Sequence, residues 1–323
     1  MQKQHKVLVV MDVLDEHKEM FRKVSSDVEI KYGLESQMTA QDFETAEMIV
    51  GNVRPEKLAG CKNLKLLQLN SAGTDGYTKD GILPEGAVLA NATGAYGLAI
   101  SEHMIGVLLC LMKKIDKYKM NQEKSLWKDE GPVESVYGSK TLVVGFGDIG
   151  SEFAVRMNAL GSKVSAIRKN LKNKPDYIDE LHSMEDFKDC LKKADIVAAS
   201  LPGTAQTYKV FNKEAFDSMK DGAFFINVGR GTAVDTDALC DALESGKLAG
   251  ASVDVTDPEP LPENHRLWKM PNVLITPHIS GGYHLKETHN RIIGIACRNL
   301  SHLVKGEEFE NLVDMESGYR KNF

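Results

Sequence analysis

The sequence predicts an α/β protein built from two open parallel-sheet domains, and three observations carry that prediction. Its length of 323 residues suits two domains, each large enough to bury a core. Short apolar runs alternate with polar segments of helical period in two separate series, the rhythm of βαβ units whose sheets are covered on both faces. Two long helical patterns, one between the series and one after the second, join them. The composition, 42% apolar and 27% charged, is that of a globular chain.

In the first series Val7–Met11, Val28–Tyr32, Met48–Val50, Leu64–Leu69 and Ala87–Ala90 read as strands, with Glu16–Val24 and Pro55–Ala59 as helices between them. Val7–Met11 follows a polar, basic start (Met1 to Lys6) and is broken at Asp12, which marks a strand and not a signal peptide. From Leu98 to Lys119 apolar Ile100, Met104, Val107, Leu108 and Leu111 recur at three and four, predicting one long helix. The apolar run Met104–Met112 within it is about half of a membrane span. A polar stretch with Trp127, Gly131 and Pro132 reads as a linker loop. The second series comprises Thr141–Val144, Val164–Ile167, Ile196–Ser200, Phe224–Asn227, Ala251–Val255 and Val273–Thr276, followed by a helix over Leu285–Val304 and a short polar tail.

A net charge of −6 provides no basic field for nucleic acid or an anionic membrane, leaving small molecules and other proteins as partners. The five cysteines, Cys61, Cys110, Cys190, Cys240 and Cys297, are scattered and form no CxxC pair. They predict neither a disulfide framework nor a zinc site, so no metal is expected and the thiols read as reduced, in a cytoplasmic protein.

The strand Thr141–Val144 runs into Gly145-Phe146-Gly147-Asp148-Ile149-Gly150, then into a helical pattern and a second strand at Val164. This is the context that a dinucleotide-binding GxGxxG demands. Gly145 permits the tight turn, Gly147 admits a pyrophosphate to the backbone, and Gly150 lets helix pack on strand. The helix N-terminus then faces the phosphates. Where an acid usually holds the adenosine ribose, the second strand ends in Arg168-Lys169. Two cations there suit a ribose 2′-phosphate and predict NADP as the preferred cofactor with NAD possible; the alternative is a solvated surface pair.

Three strand ends in this half carry unusual choices: Arg230 between glycines, Glu259 in the proline-stiffened Asp254–Pro262 loop, and His278 in Thr276-Pro277-His278-Ile279-Ser280-Gly281-Gly282. Following strands, they belong at the carboxyl edge of the sheet, where open α/β sheets bind ligands.

With these motifs the sequence closely resembles the D-isomer-specific 2-hydroxyacid dehydrogenase family across nearly its whole length, as a glyoxylate/hydroxypyruvate reductase-like member. Ser71-Ala72-Gly73-Thr74-Asp75, Ser101-Glu102-His103 and Leu201-Pro202 with Thr207 complete the set, in matching order and spacing. The resemblance implies a discontinuous flavodoxin-like substrate domain, 1–98 with 287–323, clasping a Rossmann cofactor domain, 99–286, and closing on it during catalysis. It also implies a homodimer built through the cofactor domain, the helix near 98–119 being too apolar to lie exposed on one side.

The implied reaction moves a hydride between NAD(P)H and a small 2-oxo acid to give a D-2-hydroxy acid. Arg230 can grip the carboxylate and polarise the ketone. His278 can supply the proton, with Glu259 holding its tautomer. The resemblance assigns the N–H groups of Ala72 and Gly73 to the substrate carboxylate, Asp254 to the nicotinamide carboxamide, and Pro202 and Thr207 to the ribose side. Asp148, Ile149, Val228 and Gly281 complete the expected cofactor contacts. Loops near Asn52–Arg54, Tyr96, Trp127 and Tyr283 are expected to shape the pocket. Glu259 departs from the glutamine of the similar formate dehydrogenases and predicts general-acid machinery for a ketone. Gly51-Asn52-Val53-Arg54-Pro55 lacks the Arg-Ser-x-Thr run of phosphoglycerate dehydrogenases, although Arg54 leaves a phosphorylated substrate open. The alternative from another class is an NAD(H)-sensing corepressor-like binding protein of the same fold.

Overall fold

The computed structural model describes residues 4–282 and 285–321; Tyr283 lies outside them. The chain divides into two units, residues 1–96 with 283–323 and residues 97–282.

The first unit holds β1 (His5–Val9), β2 (Val28–Tyr32), β3 (Met48–Val50), β4 (Leu66–Gln68) and β5 (Val88–Ala90) in the spatial order β2-β1-β3-β4-β5. All pairs are parallel, and the order is flavodoxin-like. Helices α1 (Asp15–Arg22), α2 (Ala40–Thr45) and α3 (Pro55–Leu58) occupy the crossovers. Thr39 and Asp42 start α2 by exchanging side-chain to backbone hydrogen bonds, which satisfies two orphan donors at once. Leu8, Ile49, Leu67, Leu69 and Leu89 pack with Phe43 and Leu58 as the core.

The second unit begins with α4 (Gly97–Met112) and α5 (Ile115–Glu123), where the sequence predicts one helix. Lys114 takes a left-handed conformation, φ 56°, that ends the first helix. The linker loop folds back at this break: Lys113 donates to the Glu134 carbonyl at 2.6 Å and Lys114 to that of Glu130 at 2.5 Å. Periodicity cannot register bonds to a loop 16 and 21 residues on.

Its sheet contains β6 (Lys140–Val144), β7 (Lys163–Ile167), β8 (Glu180–His182), β9 (Ile196–Ala199), β10 (Ala223–Asn227), β11 (Leu248–Val253) and β12 (Val273–Ile275), ordered β12-β11-β10-β9-β6-β7-β8. Every pair is parallel. This is the Rossmann order with one added strand, reversing between β6 and β9. The edge strand β8 has no counterpart in the sequence reading, because Glu180-Leu181-His182 is too short and polar to show a period. Helices α6 (Asp148–Ala159), α7 (Phe187–Leu191), α8 (Lys213–Ser218) and α9 (Thr236–Glu244) cover the sheet. Phe187, Phe216 and Phe225 surround Phe211 with centroids 4.9–6.3 Å away, an aromatic core under β9 and β10.

Helix α10 (Lys286–Lys305) belongs to the first unit, packs on α1, and ends at Gly306 with φ 70°. Where the sequence suggests only a polar tail, β13 (Val313–Asp314) and β14 (Tyr319–Arg320) form an antiparallel hairpin. Among the described residues no helix is long and apolar enough to cross a membrane.

Candidate active site

At the end of β6, Gly145 has φ 97° and a Cβ there would lie 2.7 Å from the Ser200 carbonyl oxygen. The Ser200 hydroxyl donates back to the Gly145 carbonyl at 2.7 Å, tying β9 to the loop. A Cβ on Gly150 would lie 2.2 Å from the Gly145 oxygen, whereas one on Gly147 meets nothing within 4 Å. Two glycines therefore close the turn and the third leaves open space. Gly147 is also the N-cap of α6 and brings no capping side chain. Asp148, first in that helix, accepts from the Gly97 N–H at 3.0 Å, so its carboxylate caps α4; Ile149 follows in the same turn.

Beside this loop, at the end of β7, the Arg168 guanidinium lies over the Phe146 ring, 5.5 Å from its centroid. Its Nη2 donates to the carbonyls of Lys172 and Asn173, and its buried Nε has no partner among the described residues. Lys169 reaches Gln206 at 3.1 Å. After β9, the Thr207 hydroxyl donates to the Pro202 carbonyl at 2.5 Å and accepts from Thr204 N–H at 2.9 Å, which closes that loop on itself.

Three adjacent strands, β10, β11 and β12, deliver the residues with acid–base and anion-binding chemistry. Asn227, fully buried at the end of β10, accepts from Gly229 N–H and donates to the Arg230 carbonyl, both at 3.1 Å. Val228 donates its N–H to Ala199 at 3.1 Å. A Cβ on Gly229 would come within 2.4 Å of the Leu201 oxygen, and one on Gly231 within 1.9 Å of the Thr256 oxygen. The Arg230 backbone is thus wedged between the loops that follow β9 and β11, and packing requires both flanking glycines. Arg230 Nη1 donates to the Gly229 carbonyl at 3.0 Å.

Asp254, buried after β11, holds the next loop. One oxygen accepts from Thr276 Oγ1 (2.6 Å) and Ile279 N–H (3.0 Å), the other from Ser280 N–H (3.1 Å) and Ser280 Oγ (2.5 Å). Burial alone would raise its pKa; the hydrogen bonds from Ser280, Thr276 and Ile279 outweigh it and hold the carboxyl below its ordinary value. His278 is presented by this anchored loop with φ 52°, a conformation uncommon outside glycine, and its N–H donates to the Asp254 carbonyl at 2.8 Å. Glu259 Oε1 meets His278 Nδ1 at 2.6 Å, both side chains being exposed. Gly281 stands within the turn closed by Gly282 N–H and the Ile279 carbonyl at 3.0 Å. The sequence reading passes over Asn227, Ser200, Thr276 and Ser280. Asn227 alone leaves a signal, as the one polar residue ending the buried strand Ala-Phe-Phe-Ile-Asn.

In the first unit, the loop after β4 carries Ala72 and Gly73. Asn52 donates to Ser71 Oγ at 3.0 Å and accepts from Asn70 N–H at 3.1 Å; Ser71 Oγ donates to the Gly73 carbonyl at 2.7 Å, and Asn91 to that of Ala72 at 2.8 Å. The buried Tyr96 donates its hydroxyl to the Asn70 carbonyl. Arg54 is ion-paired to Glu35 at 2.6 Å. Trp127, in the second unit, is fully exposed. Among the described residues no cluster of His, Cys, Asp and Glu is arranged to hold a metal ion.

Residues 105–280 match the family description "D-isomer specific 2-hydroxyacid dehydrogenase, NAD binding domain". The chain belongs to this family. The chain is similar to a protein of Corynebacterium melassecola described as an uncharacterized protein in the proB 3′ region, 34% identical over 290 residues, covering 86% of this chain and 92% of the relative. A glyoxylate reductase of Thermofilum pendens is 32% identical over 276 residues, covering 83% and 80%. A solved structure of a family protein from Aeromonas salmonicida matches with a TM-score of 0.85 at 27% identity, covering 97% and 99%.

The protein is therefore a nicotinamide-dependent 2-hydroxyacid dehydrogenase. The second unit suits that cofactor: the open space at Gly147, the uncapped start of α6 and the unpartnered Arg168 Nε lie at the ends of the neighbouring strands β6 and β7.

Proposed function

We propose that this dehydrogenase uses NADPH to reduce a small 2-oxo acid (glyoxylate, hydroxypyruvate or pyruvate) to the D-2-hydroxy acid, with Arg230, Glu259 and His278 as its catalytic group. The observation that carries the reading is the 2.6 Å contact between Glu259 and His278 Nδ1, on the loop after the strand next to Arg230's. The bound nicotinamide supplies the hydride. Arg230 binds the substrate carboxylate through its planar fork and polarises the ketone. Glu259 engages Nδ1, so Nε2 is the nitrogen turned to substrate; a proton passes from Nε2 to the ketone oxygen as the alcohol forms. Ala72 and Gly73 supply N–H groups to the substrate carboxylate. The glycine loop from Gly145 to Gly150 with Asp148 and Ile149 holds the pyrophosphate, while Pro202, Thr207, Val228, Asp254 and Gly281 frame the rest of the cofactor.

The relative from Thermofilum pendens, named a glyoxylate reductase, supports a two-carbon substrate, and the pairing of Arg54 with Glu35 speaks against a phosphorylated one. Arg168 and Lys169 support NADPH: charge-assisted bonds to a 2′-phosphate contribute roughly 10- to 150-fold in preference. The exposed apolar side chains Ile115, Met120, Leu126, Trp127 and Tyr137 support a homodimer built through the second unit, and five free thiols suit a cytoplasmic setting.

Initial rates with a panel of 2-oxo acids and both cofactors test the reading. Turnover of a small 2-oxo acid with NADPH favoured is expected, with kcat lowered about 10²–10⁴-fold in His278→Ala. Arg168→Asp should move preference to NADH through KM while sparing kcat, because the phosphate is remote from the reacting atoms. Near-full activity in His278→Ala, or no turnover of any 2-oxo acid, would overturn it.

A further inference from the structure

The hairpin β13–β14 lies against the first unit's sheet edge. It does not carry the chemistry, yet it is bonded to the loop that meets the substrate. β5 is an edge strand of its sheet, and an open edge needs cover. The segment entering the hairpin supplies it: Leu312 bridges Ala90 in antiparallel fashion, and Asn91 N–H donates to the Asn311 carbonyl at 3.2 Å. Asn311 is buried with φ 57°, and its amide donates to the carbonyls of Asn91 (3.2 Å) and Thr93 (2.8 Å). Val313 enters the apolar core beside Leu69, Tyr77 and Leu89. The hairpin turn is closed by Asp314, whose Oδ1 accepts from Ser317 N–H at 2.8 Å and Ser317 Oγ at 2.7 Å, and by Gly318 N–H donating to the Asp314 carbonyl at 2.8 Å. Gly318, at φ 71°, then turns its carbonyl onto the buried Thr74, which donates its hydroxyl at 2.7 Å.

Thr74 directly follows Gly73. The Ala72–Gly73 segment is thus held at two points that both lead to the hairpin region: the Ala72 carbonyl by Asn91, whose backbone is bonded to Asn311, and the Thr74 side chain by Gly318. We propose that the β13–β14 hairpin is a brace that sets the substrate-binding loop, with Thr74 as its positioning residue, so that the hairpin tunes affinity for the 2-oxo acid without touching it. The proposal rests on the assignment of the Ala72 and Gly73 N–H groups to the substrate carboxylate. A pre-set loop lowers the ordering cost of binding. Losing the brace should therefore appear in the substrate KM and leave kcat and the cofactor KM alone.

Thr74→Val keeps the shape and removes the donor; Thr74→Ser keeps the donor. Asp314→Ala loosens the turn from the far side of the hairpin. We expect Thr74→Val to raise the 2-oxo acid KM about 2- to 12-fold, the span of one net hydrogen bond. kcat and cofactor KM should stay within about twofold, and Thr74→Ser should behave like the parent enzyme. Asp314→Ala should raise the same KM, and the double variant Thr74→Val/Asp314→Ala should be no worse than Thr74→Val alone, because both break one brace. An unchanged substrate KM in Thr74→Val, an effect in Thr74→Val that Asp314→Ala lacks, or an equal rise in the cofactor KM would each overturn the brace. Gly73→Pro, which deletes one assigned N–H, separates the premises. If it raises the substrate KM while Thr74→Val does not, the carboxylate assignment stands and the brace falls; if it too leaves that KM unchanged, the assignment itself fails.

Discussion

Both carboxyl edges press backbone on backbone, the first at Gly51, where a Cβ would lie 2.5 Å from the Val10 oxygen, but the loops around them are held by different means. In the second unit the loops are pressed together backbone on backbone, through Gly145, Gly150, Gly229 and Gly231, and locked by one buried carboxylate, Asp254. In the first unit the loop bearing Ala72 and Gly73 is suspended from neutral side chains, Asn52, Ser71, Asn91 and Tyr96. Backbone contact without Cβ atoms yields little, whereas neutral hydrogen bonds are individually modest and exchangeable. Rigidity therefore belongs to the unit that carries the glycine loop, Arg230 and His278, and adaptability to the loop proposed to meet the substrate.

Gly231→Ala should break the rigid edge most severely. With a carbonyl oxygen 1.9 Å from the new Cβ, the loops of Arg230 and Glu259 must separate. We expect a stability loss at or beyond the upper end of the roughly 1–3 kcal/mol typical of overpacking, and turnover down about 10²-fold from misplacement of the proposed catalytic groups. Denaturant midpoints and kcat check this. Gly147→Ala is its control: the open space there predicts stability within about 0.5 kcal/mol of the parent with a raised cofactor KM.

Asp254→Asn should be next. An amide presents a donor where Thr276, Ile279 and Ser280 already donate, for a loss of roughly 1.5–3 kcal/mol. Because its folded pKa is depressed, Asp254 contributes stability that is present above the unfolded carboxyl value, about 3.9, and lost as pH falls through the folded value. The stability gap between parent and Asp254→Asn should therefore narrow below about pH 4; a gap independent of pH would show that the carboxylate's charge does not matter.

Asn52→Ala should have the smallest effect, about 0.5–1.5 kcal/mol, seen as a raised 2-oxo acid KM with the cofactor KM unmoved. Loss of cofactor affinity instead would erase the distinction between the two edges.

Much of the second unit was legible because its constraints dictate residue type. Gly145 and Gly150 of the GxGxxG loop, and Gly229 and Gly231 around Arg230, are forced by contacts that tolerate no Cβ, and such demands leave glycine in the sequence. The continuous apolar strands report burial on both faces. Other features carry no local mark. Lys114 breaks a periodic helix because a distant loop returns to it; β8 and the β13–β14 hairpin are too short for periodicity. Thr276 and Ser280 look like ordinary turn residues until Asp254 is seen beneath them.

By itself the sequence determined the doubly wound architecture and the glycine loop, and it singled out Arg230, Glu259 and His278 as candidates, since residue type and spacing suffice where backbone sterics leave one solution. Only the tertiary structure decided that Asp254 anchors the histidine loop, that Asp148 caps α4, and that Thr74 is bonded to a hairpin 244 residues away along the chain. Hydrogen bonds between distant segments depend on where the fold brings those segments, and a polar residue in a sequence does not name its partner.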